Sequence, residues 1–341
     1  MLEHGWNATA YQIVNPGIAH WFAAAGDAVV GYATWRSVLV VAGAPVAAPG
    51  RLAAVADEFE HYAARRGKTV CYFGAEARLE AIYRESTGRA RVLLGAQPVW
   101  DPAEWPDVVA ASASIRAQLN RARNKRVAVE EWSARRAESS GELRGILKQW
   151  LASRGLPPLH FLVEPETLAN LSDRRVFVAS RDAVPVAFLV ASPVPCRRGW
   201  LVEQFVRGND AVNGTTQLMV DAAMRGLAAG GAAFVTLGLA PLSSRAGLTE
   251  HNPIWLRGLL GWVRAHGRRF YNFDGLDAFK ARLNPKRWDP VFAIAAAPSF
   301  SPEYLYAIAG AFSGGSPVTL VARGLWRAAS TELRWLAGQR G

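Results

Sequence analysis

One spacing occurs twice in this chain, and it constrains the fold more than any other feature. In the first copy, RSVLVVAGAP (Arg36 to Pro45) reads as a strand entering a Gly/Pro/Ala loop; a helix from about Arg51 to Arg66 and the strand TVCYFG (Thr69 to Gly74) follow. In the second, WLVEQFV (Trp200 to Val206) leads through RGNDAVNG to a helix from about Thr215 to Ala229 and the strand AFVTLGL (Ala233 to Leu239). From the glycine at each helix start, Gly50 or Gly214, to the middle of the next strand is about 20 residues. A strand–helix–strand crossover of that length returns the chain parallel to itself, which a tight turn cannot do. Antiparallel-type strands precede each copy: Val29–Trp35 and Ser37–Ala42 in the first, Arg175–Ser180 and Val184–Ala191 in the second. The alternative is an ordinary α/β domain with coincidental spacing.

Hairpin strands feeding a strand–loop–helix–strand unit resemble the acetyltransferase-like (GNAT) fold. The expectation is therefore an α/β protein with a tandem, duplicated GNAT-like fold, its mixed sheets flanked by helices. The halves are placed at residues 1–135 and 136–300, the second carrying the reactive site, with a helical tail at 301–341. The segment from Ser112 to about Leu171 reads as helical and polar and has no Pro/Gly-rich linker, so the halves are expected to be fused.

Hydrophobic residues make up 50% of the 341 and charged residues 20%, the balance of a chain with a buried core. The formal net charge of +11 favours an anionic partner, nucleic acid or a membrane surface, although a basic surface can also serve solubility alone. Two cysteines, Cys71 and Cys196, give neither a disulfide framework nor metal spacing and suit a reducing cytoplasm. MLEHGWNATAYQ lacks the basic and apolar regions of a signal peptide, and no run approaches the roughly 18 apolar residues of a spanning helix. The expected location is cytoplasmic, at most peripheral on the inner face of the membrane. The six histidines are dispersed, and no Ser–His–Asp set, Cys–His pair, metal spacing or phosphate-binding Walker loop is present. No metal or cofactor is expected.

SASIRAQLNRARNKR (Ser112 to Arg126) is the clearest helical pattern. Ile115, Leu119 and Ala122 recur at core spacing, and Ser112 or Ser114 can cap the start. Arg116, Asn120, Arg121, Arg123 and Lys125 lie off that stripe with no acid among them, a phosphate-facing surface or simply a solvated one.

Three stretches carry the candidate chemistry. YNFDGLDAFKARLNPKRWDPVFAIAAA (Tyr271 to Ala297) puts Asp274 and Lys280 on one short helix before Asn284, Pro285 and Trp288 turn the chain into an apolar strand. Such a helix at a strand end can hold a reactive group, though a surface helix fits the same pattern. Asn213, Gly214 and Thr215 open a helix with free N–H groups and hydroxyls at its positive end, an anion or carbonyl site in principle. LGLAPLSS (Leu237 to Ser244) ends a strand with Gly238, Pro241 and Ser243, residues that splay it from its neighbour.

These stretches resemble the aminoacyl-tRNA-dependent phosphatidylglycerol synthases of bacteria, the lysyltransferase C-terminal domain family, here as a stand-alone soluble member. LGLAPL is similar to the family's L-G-M-A-P-L, with Leu239 for Met. Ser114, Ile115, Arg116, Leu119, Asn120, Arg121 and Ala122 match S-L-R-x-x-L-N-R-A, with Ile115 for Leu. Lys280 matches the lysine of F-K-x-K-F-x-P, in which Arg282 takes the second basic position and Leu283 that of the second Phe. NPGIAHWF (Asn15 to Phe22) and AGAPVAAPGRL (Ala42 to Leu52) extend the likeness, which runs from about Trp6 to Ala297. The resemblance implies transfer of an aminoacyl group from aminoacyl-tRNA to a hydroxyl of an anionic lipid headgroup such as phosphatidylglycerol. Lys280 is then expected to stabilise developing negative charge. Glu203 is expected to bind the donor's ammonium or act as base, unless it only pairs with Arg207, and Asp274 is a second candidate for the amine. Arg207, Asn213, Gly214, Thr215, Gly238, Pro241, Ser243, Arg282 and Asn284 form the substrate set, and the basic helix is assigned to tRNA.

One departure stands out. Lipid-modifying members carry D-L-M-R where this chain has Gln204, Phe205, Val206 and Arg207. Two alternatives stay open: an acyl-CoA-dependent N-acyltransferase of GNAT type acting on a soluble amine, against which the sparse glycines (Gly208, Gly214) speak, and a non-catalytic tRNA- or membrane-binding relative. After Pro317, Arg323, Arg327 and Arg334 line one face of a tail helix and Val321, Leu325, Ala329, Leu333 and Leu336 another, suited to anionic lipid or to packing on the protein.

Overall fold

Two parallel crossovers organise the sheet. The computed structural model describes residues 1–154, 159–248, 252–258 and 273–313. In the first half, β1 (Ala19–Phe22), β2 (Val29–Trp35) and β3 (Val38–Ala42) run antiparallel, and β3 then pairs in parallel with β4 (Thr69–Ala75) after α1 (Leu52–Ala64). Helix α2 (Ala77–Tyr83) leads to β5 (Ala90–Trp100). In the second copy, β7 (Arg175–Arg181), β8 (Val184–Val194) and β9 (Gly199–Arg207) are antiparallel neighbours, and β6 (Val127–Trp132), although it precedes the expected boundary at residue 135, pairs with β7 and so extends this sheet. Helix α7 (Thr215–Ala229) returns the chain to β10 (Phe234–Thr236), parallel to β9 with Val235 opposite Trp200. The duplication is thus a tandem GNAT-like fold.

Among the described residues the halves interlock in one 12-stranded sheet of order β1-β2-β3-β4-β12-β5-β10-β9-β8-β7-β6, with the two-residue β11 (Ala240–Pro241) beside β5. Strand β12 (Arg287–Ala295), the last of the described strands in sequence, inserts between β4 and β5 of the first half, while β10 pairs with β5 across the middle.

Strand side chains alternate faces, and each face is covered. On β3, Leu39 and Val41 meet Val55, Phe59 and Ala63 of α1, whereas Val38, Val40 and Ala42 meet Tyr304, Ala307 and Ile308 of α9 (Pro302–Ser313). On β8, Leu189 and Ala191 share a core with α7, α3 (Trp105–Ala111) and α4 (Ala113–Asn124), whereas Phe188 and Val190 pack with α5 (Ala134–Ser139) and α6 (Gly141–Ala152).

Several expectations are corrected. The segment from Ser112 to Leu171 is not helical throughout: VAVEEW forms β6, the outermost strand of its half, and its Glu130 and Glu131 lie exposed, as charge on an edge strand does. The strand expected over Ala233–Leu239 is only Phe234–Thr236, because Gly238 takes a left-handed φ of 68° and turns the chain out of the sheet. Strand β5 escapes a reading by pattern, since Gly95 and Pro98 look like breakers. At Gly95 (φ 151°) the backbone of β11 comes so close that a β-carbon would lie 2.3 Å from the Ala240 carbonyl oxygen. The tail helix expected after Pro317 lies outside the described residues.

Candidate active site

The ring of residues around Lys280 begins with helix α8 (Phe273–Ala281), in which Asp277 and Lys280 stand three residues apart and so share a face. Lys280 is 3% exposed. Its Nζ donates to the carbonyl oxygens of Gly238 at 2.8 Å and Leu239 at 2.9 Å, where the chain leaves β10. The left-handed turn at Gly238, whose N–H donates to Thr236 Oγ1 at 3.1 Å, is what aims both carbonyls at the amine. Burial lowers the Lys280 pKa from 10.5 to about 7, against an opposing pull from Asp277. An ammonium has three donors and a neutral amine two, so both carbonyl bonds survive deprotonation and a lone pair is left for a proton. The site can therefore give or take a proton near neutral pH.

Asp277 was not singled out in the sequence, nor was its partner Arg245. Arg245 Nε donates to Asp277 Oδ2 at 2.8 Å and its guanidinium lies 5.5 Å from the Trp288 ring, while Asp277 Oδ1 is buried with no partner among the described residues. The i, i+3 spacing from Asp277 to Lys280 was the available signal. Asp274, chosen instead, sits half-buried in the first turn of α8.

Strand β9 reaches this centre through an edge-on contact between Phe205 and Phe279, 5.9 Å between ring centres. Its register steps from Gln204 opposite Val190 to Val202 opposite Ala191, so Glu203 is the extra residue of a β-bulge. Glu203 does not pair with Arg207. It pairs with Arg174 at 3.0 Å, both side chains buried, and accepts from Ser192 Oγ; Arg174 Nε also donates to Ser192 Oγ at 2.9 Å. Arg174 reaches the other half as well, donating to Asn15 Oδ1 at 3.4 Å, with the Tyr11 ring 5.0 Å away. Arg207 instead donates to the Ala211 carbonyl at 2.9 Å and closes its own loop. Gln204 donates through Nε2 to the Glu164 carbonyl at 2.8 Å, a bond no aspartate can make, and its Oε1 is buried with no partner among the described residues.

The remaining expected residues are dispersed around this centre. Gly214 (φ 95°) precedes α7 against α4: a β-carbon there would lie 2.3 Å from the Gln118 carbonyl oxygen. Thr215 is fully buried with Oγ1 unpartnered among the described residues, and Asn213 is exposed. Ser243 is buried and accepts from the Arg245 N–H at 3.3 Å, and Pro241 pairs with Gly95. Arg282 is exposed; exposed Asn284 (φ 48°) closes the end of α8 by donating to the Ala281 carbonyl. Leu283 is core, its carbonyl accepting from the Trp100 indole at 3.0 Å.

Helix α4 is capped by Ser112, whose Oγ accepts from the Ile115 N–H, and buries Ile115, Leu119 and Ala122 as its periodicity required. Arg116, Asn120, Arg121, Arg123 and Lys125 are all exposed. Two of them are engaged: Arg116 donates to the Val109 and Ala110 carbonyls, and Arg123 pairs with Asp221 at 3.2 Å. Arg121 and Lys125 have no acidic partner among the described residues. Among those residues, no group of three or more His, Cys, Asp or Glu could hold a metal ion, and no helix is long and apolar enough to cross a membrane.

A tandem GNAT-like sheet with a lysine buried where β10 ends is the fold of an acyltransferase-like protein. The chain matches the family described as phosphatidylglycerol lysyltransferase, C-terminal, over residues 1–295, and it belongs to that family of transferases. In fold it is similar to the C-terminal domain of a protein described as a lysylphosphatidylglycerol synthetase from Agrobacterium fabrum, at 21% identity and TM-score 0.76, covering 92% of this chain and 97% of that one. It is likewise similar to L-PGS from Bacillus licheniformis, at 20% identity and TM-score 0.73, covering 96% and 94%. FemX shares the fold more distantly, at 9% identity and TM-score 0.55, covering 88% and 97%. No curated protein sequence matches the chain.

Proposed function

We propose that the protein transfers an aminoacyl group from aminoacyl-tRNA to a hydroxyl of a polar lipid headgroup such as phosphatidylglycerol. The observation that carries this reading is the Lys280 amine, buried and held by the Gly238 and Leu239 carbonyls, in a chain of the lysyltransferase family. The headgroup oxygen attacks the ester carbonyl carbon while its proton passes to the neutral amine of Lys280. The tetrahedral intermediate then collapses, the bond to the ribose oxygen breaks, and that oxygen takes the proton back from the Lys280 ammonium. While protonated, the same group stabilises negative charge on the intermediate.

Exposed Arg121 and Lys125 on α4 suit the tRNA phosphates, and the net charge of +11 suits an anionic lipid surface. The packing of α4 on Gly214 speaks against the acyl-CoA alternative. It sets the Gln118 carbonyl oxygen, a hydrogen-bond acceptor, against the loop where a pyrophosphate would need donors.

Mass spectrometry of lipids from cells expressing the chain tests the reading. Aminoacylated lipid that appears with the wild type and disappears with Lys280→Ala supports it. Turnover of acetyl-CoA without tRNA overturns it in favour of N-acyl transfer, and tRNA binding without any lipid product overturns it in favour of a binding role.

A further inference from the structure

Among the described residues nine large apolar side chains are exposed, and three of them, Leu248, Ile254 and Trp255, fall between positions 248 and 255. The other six come one each from separate parts of the chain. Ile254 is 80% exposed, although isoleucine is among the residues most often found inside. The cluster cannot relieve itself by turning inward. In the helical residues 254–258 the inward position belongs to Leu256, which is buried in a core with Val92 and Phe161. At 3.6 residues per turn, Ile254 then takes the far side of the helix.

The connection that carries Leu248 is fixed at both ends to neighbouring residues of β5. The Leu242 N–H donates to the Leu94 carbonyl at 2.8 Å. Asn252 closes the other end as a paired strand would: its Oδ1 accepts from the Leu93 N–H at 2.7 Å and its Nδ2 donates to the Leu93 carbonyl at 3.0 Å. Between these ends Arg245 holds Asp277 of α8, and three residues before Leu242 the Leu239 carbonyl accepts from Lys280 Nζ. The exposed apolar side chains therefore extend from the same short stretch that builds the Lys280 centre. Cations border them. Arg257, three residues after Ile254 and so on its face, is exposed, as is Arg282, two residues after Lys280.

Apolar surface is costly in water and is relieved on entering hydrocarbon, while indole rings favour the headgroup boundary and guanidinium groups an anionic surface. We propose that Leu248, Ile254 and Trp255 form a rim that inserts into an anionic lipid bilayer, with Arg257 and Arg282 against the lipid phosphates. This docking rests on the transfer reading for its lipid partner, and it adds the face that meets the membrane, the one that presents the Lys280 centre to the headgroups.

Co-sedimentation of the full chain with vesicles of equimolar phosphatidylglycerol and phosphatidylcholine tests it. Ile254→Ser combined with Trp255→Ser should weaken vesicle binding at least about tenfold, whereas Phe22→Ser, on the outermost strand β1, should leave it unchanged. Binding should also fall with added salt and on vesicles of phosphatidylcholine alone. A second measurement needs no loss of binding: with Cys196→Ser removing the exposed thiol, Ile254→Cys carries an environment-sensitive dye whose emission should shift to the blue when vesicles are added. The same dye on Val184→Cys, exposed on β8, should not respond. Absence of vesicle binding by the wild type, equal affinity in the double variant, or an unmoved dye at position 254 overturns the proposal. A short-chain, water-soluble phosphatidylglycerol separates it from the transfer reading: the double variant should aminoacylate that substrate like the wild type while losing rate on vesicles. Vesicle binding through this rim with no aminoacylated product from either substrate would overturn the transfer reading and leave the rim standing.

Discussion

Replacing Lys280 by Met should remove the pH dependence that this residue imposes on stability. The lysine titrates at 10.5 when unperturbed and at about 7 in the folded chain. Between those values the unfolded chain binds more protons than the folded one, so the contribution of Lys280 rises with pH. It is least favourable below pH 7, where burying the ammonium costs about 5 kcal/mol, and the penalty is gone above pH 10.5. Between about pH 6 and pH 9 the wild type should gain about 3 kcal/mol relative to Lys280→Met. The variant also leaves the Gly238 and Leu239 carbonyls without their donor, a loss of about 1–3 kcal/mol each that does not vary with pH. Urea unfolding of both proteins at several pH values, followed by tryptophan fluorescence, separates the two effects. A difference in unfolding free energy that stays flat within about 0.5 kcal/mol from pH 6 to 9 would refute the claim that the buried amine is desolvated.

Other expectations follow from the same geometry. The transfer rate should rise as pH passes through about 7, when Lys280 becomes able to accept a proton, a limb that a pH–rate profile should show and that Lys280→Arg should abolish. Glu203→Gln leaves the Arg174 guanidinium buried without its counter-charge and should cost about 3–5 kcal/mol in denaturant unfolding, whereas replacing both residues by Leu should cost much less than the sum of the single changes. Gly214→Ala must adopt φ 95° and meet the Gln118 carbonyl, so a loss of at least ~2 kcal/mol and a lower Tm are expected. Arg121→Gln with Lys125→Gln should weaken tRNA binding and shallow its salt dependence by about two ions, with the fold unchanged by circular dichroism.

What could be read before folding follows from which residues act locally. Helix α7 begins and ends where Thr215 and Ala229 placed it, and the core stripe of α4 was visible in Ile115, Leu119 and Ala122. Period and capping are short-range properties, so sequence reports them. Strand β6 was missed because Glu130 and Glu131 read as a polar helix; only a neighbour such as β7 makes VAVEEW an edge strand. The position of Lys280 was legible, but not its depth, since the acceptors at Gly238 and Leu239 lie some 40 residues away. Glu203 illustrates the same limit. Its partner Arg174 sits across a bulge and between halves, whereas the adjacent Arg207 was the obvious partner by proximity in sequence.

The late strand between β4 and β5 has a consequence for biosynthesis. As the polypeptide emerges from the ribosome, the first half has all its own strands by residue 100, yet the gap that β12 fills stays empty until residue 295 has been made. Until then β4 and β5 offer bare peptide groups to any passing strand, the condition under which nascent chains stick to one another. Early release of the chain, or a stop codon ahead of Arg287, should therefore yield aggregation rather than a half-sized folded product.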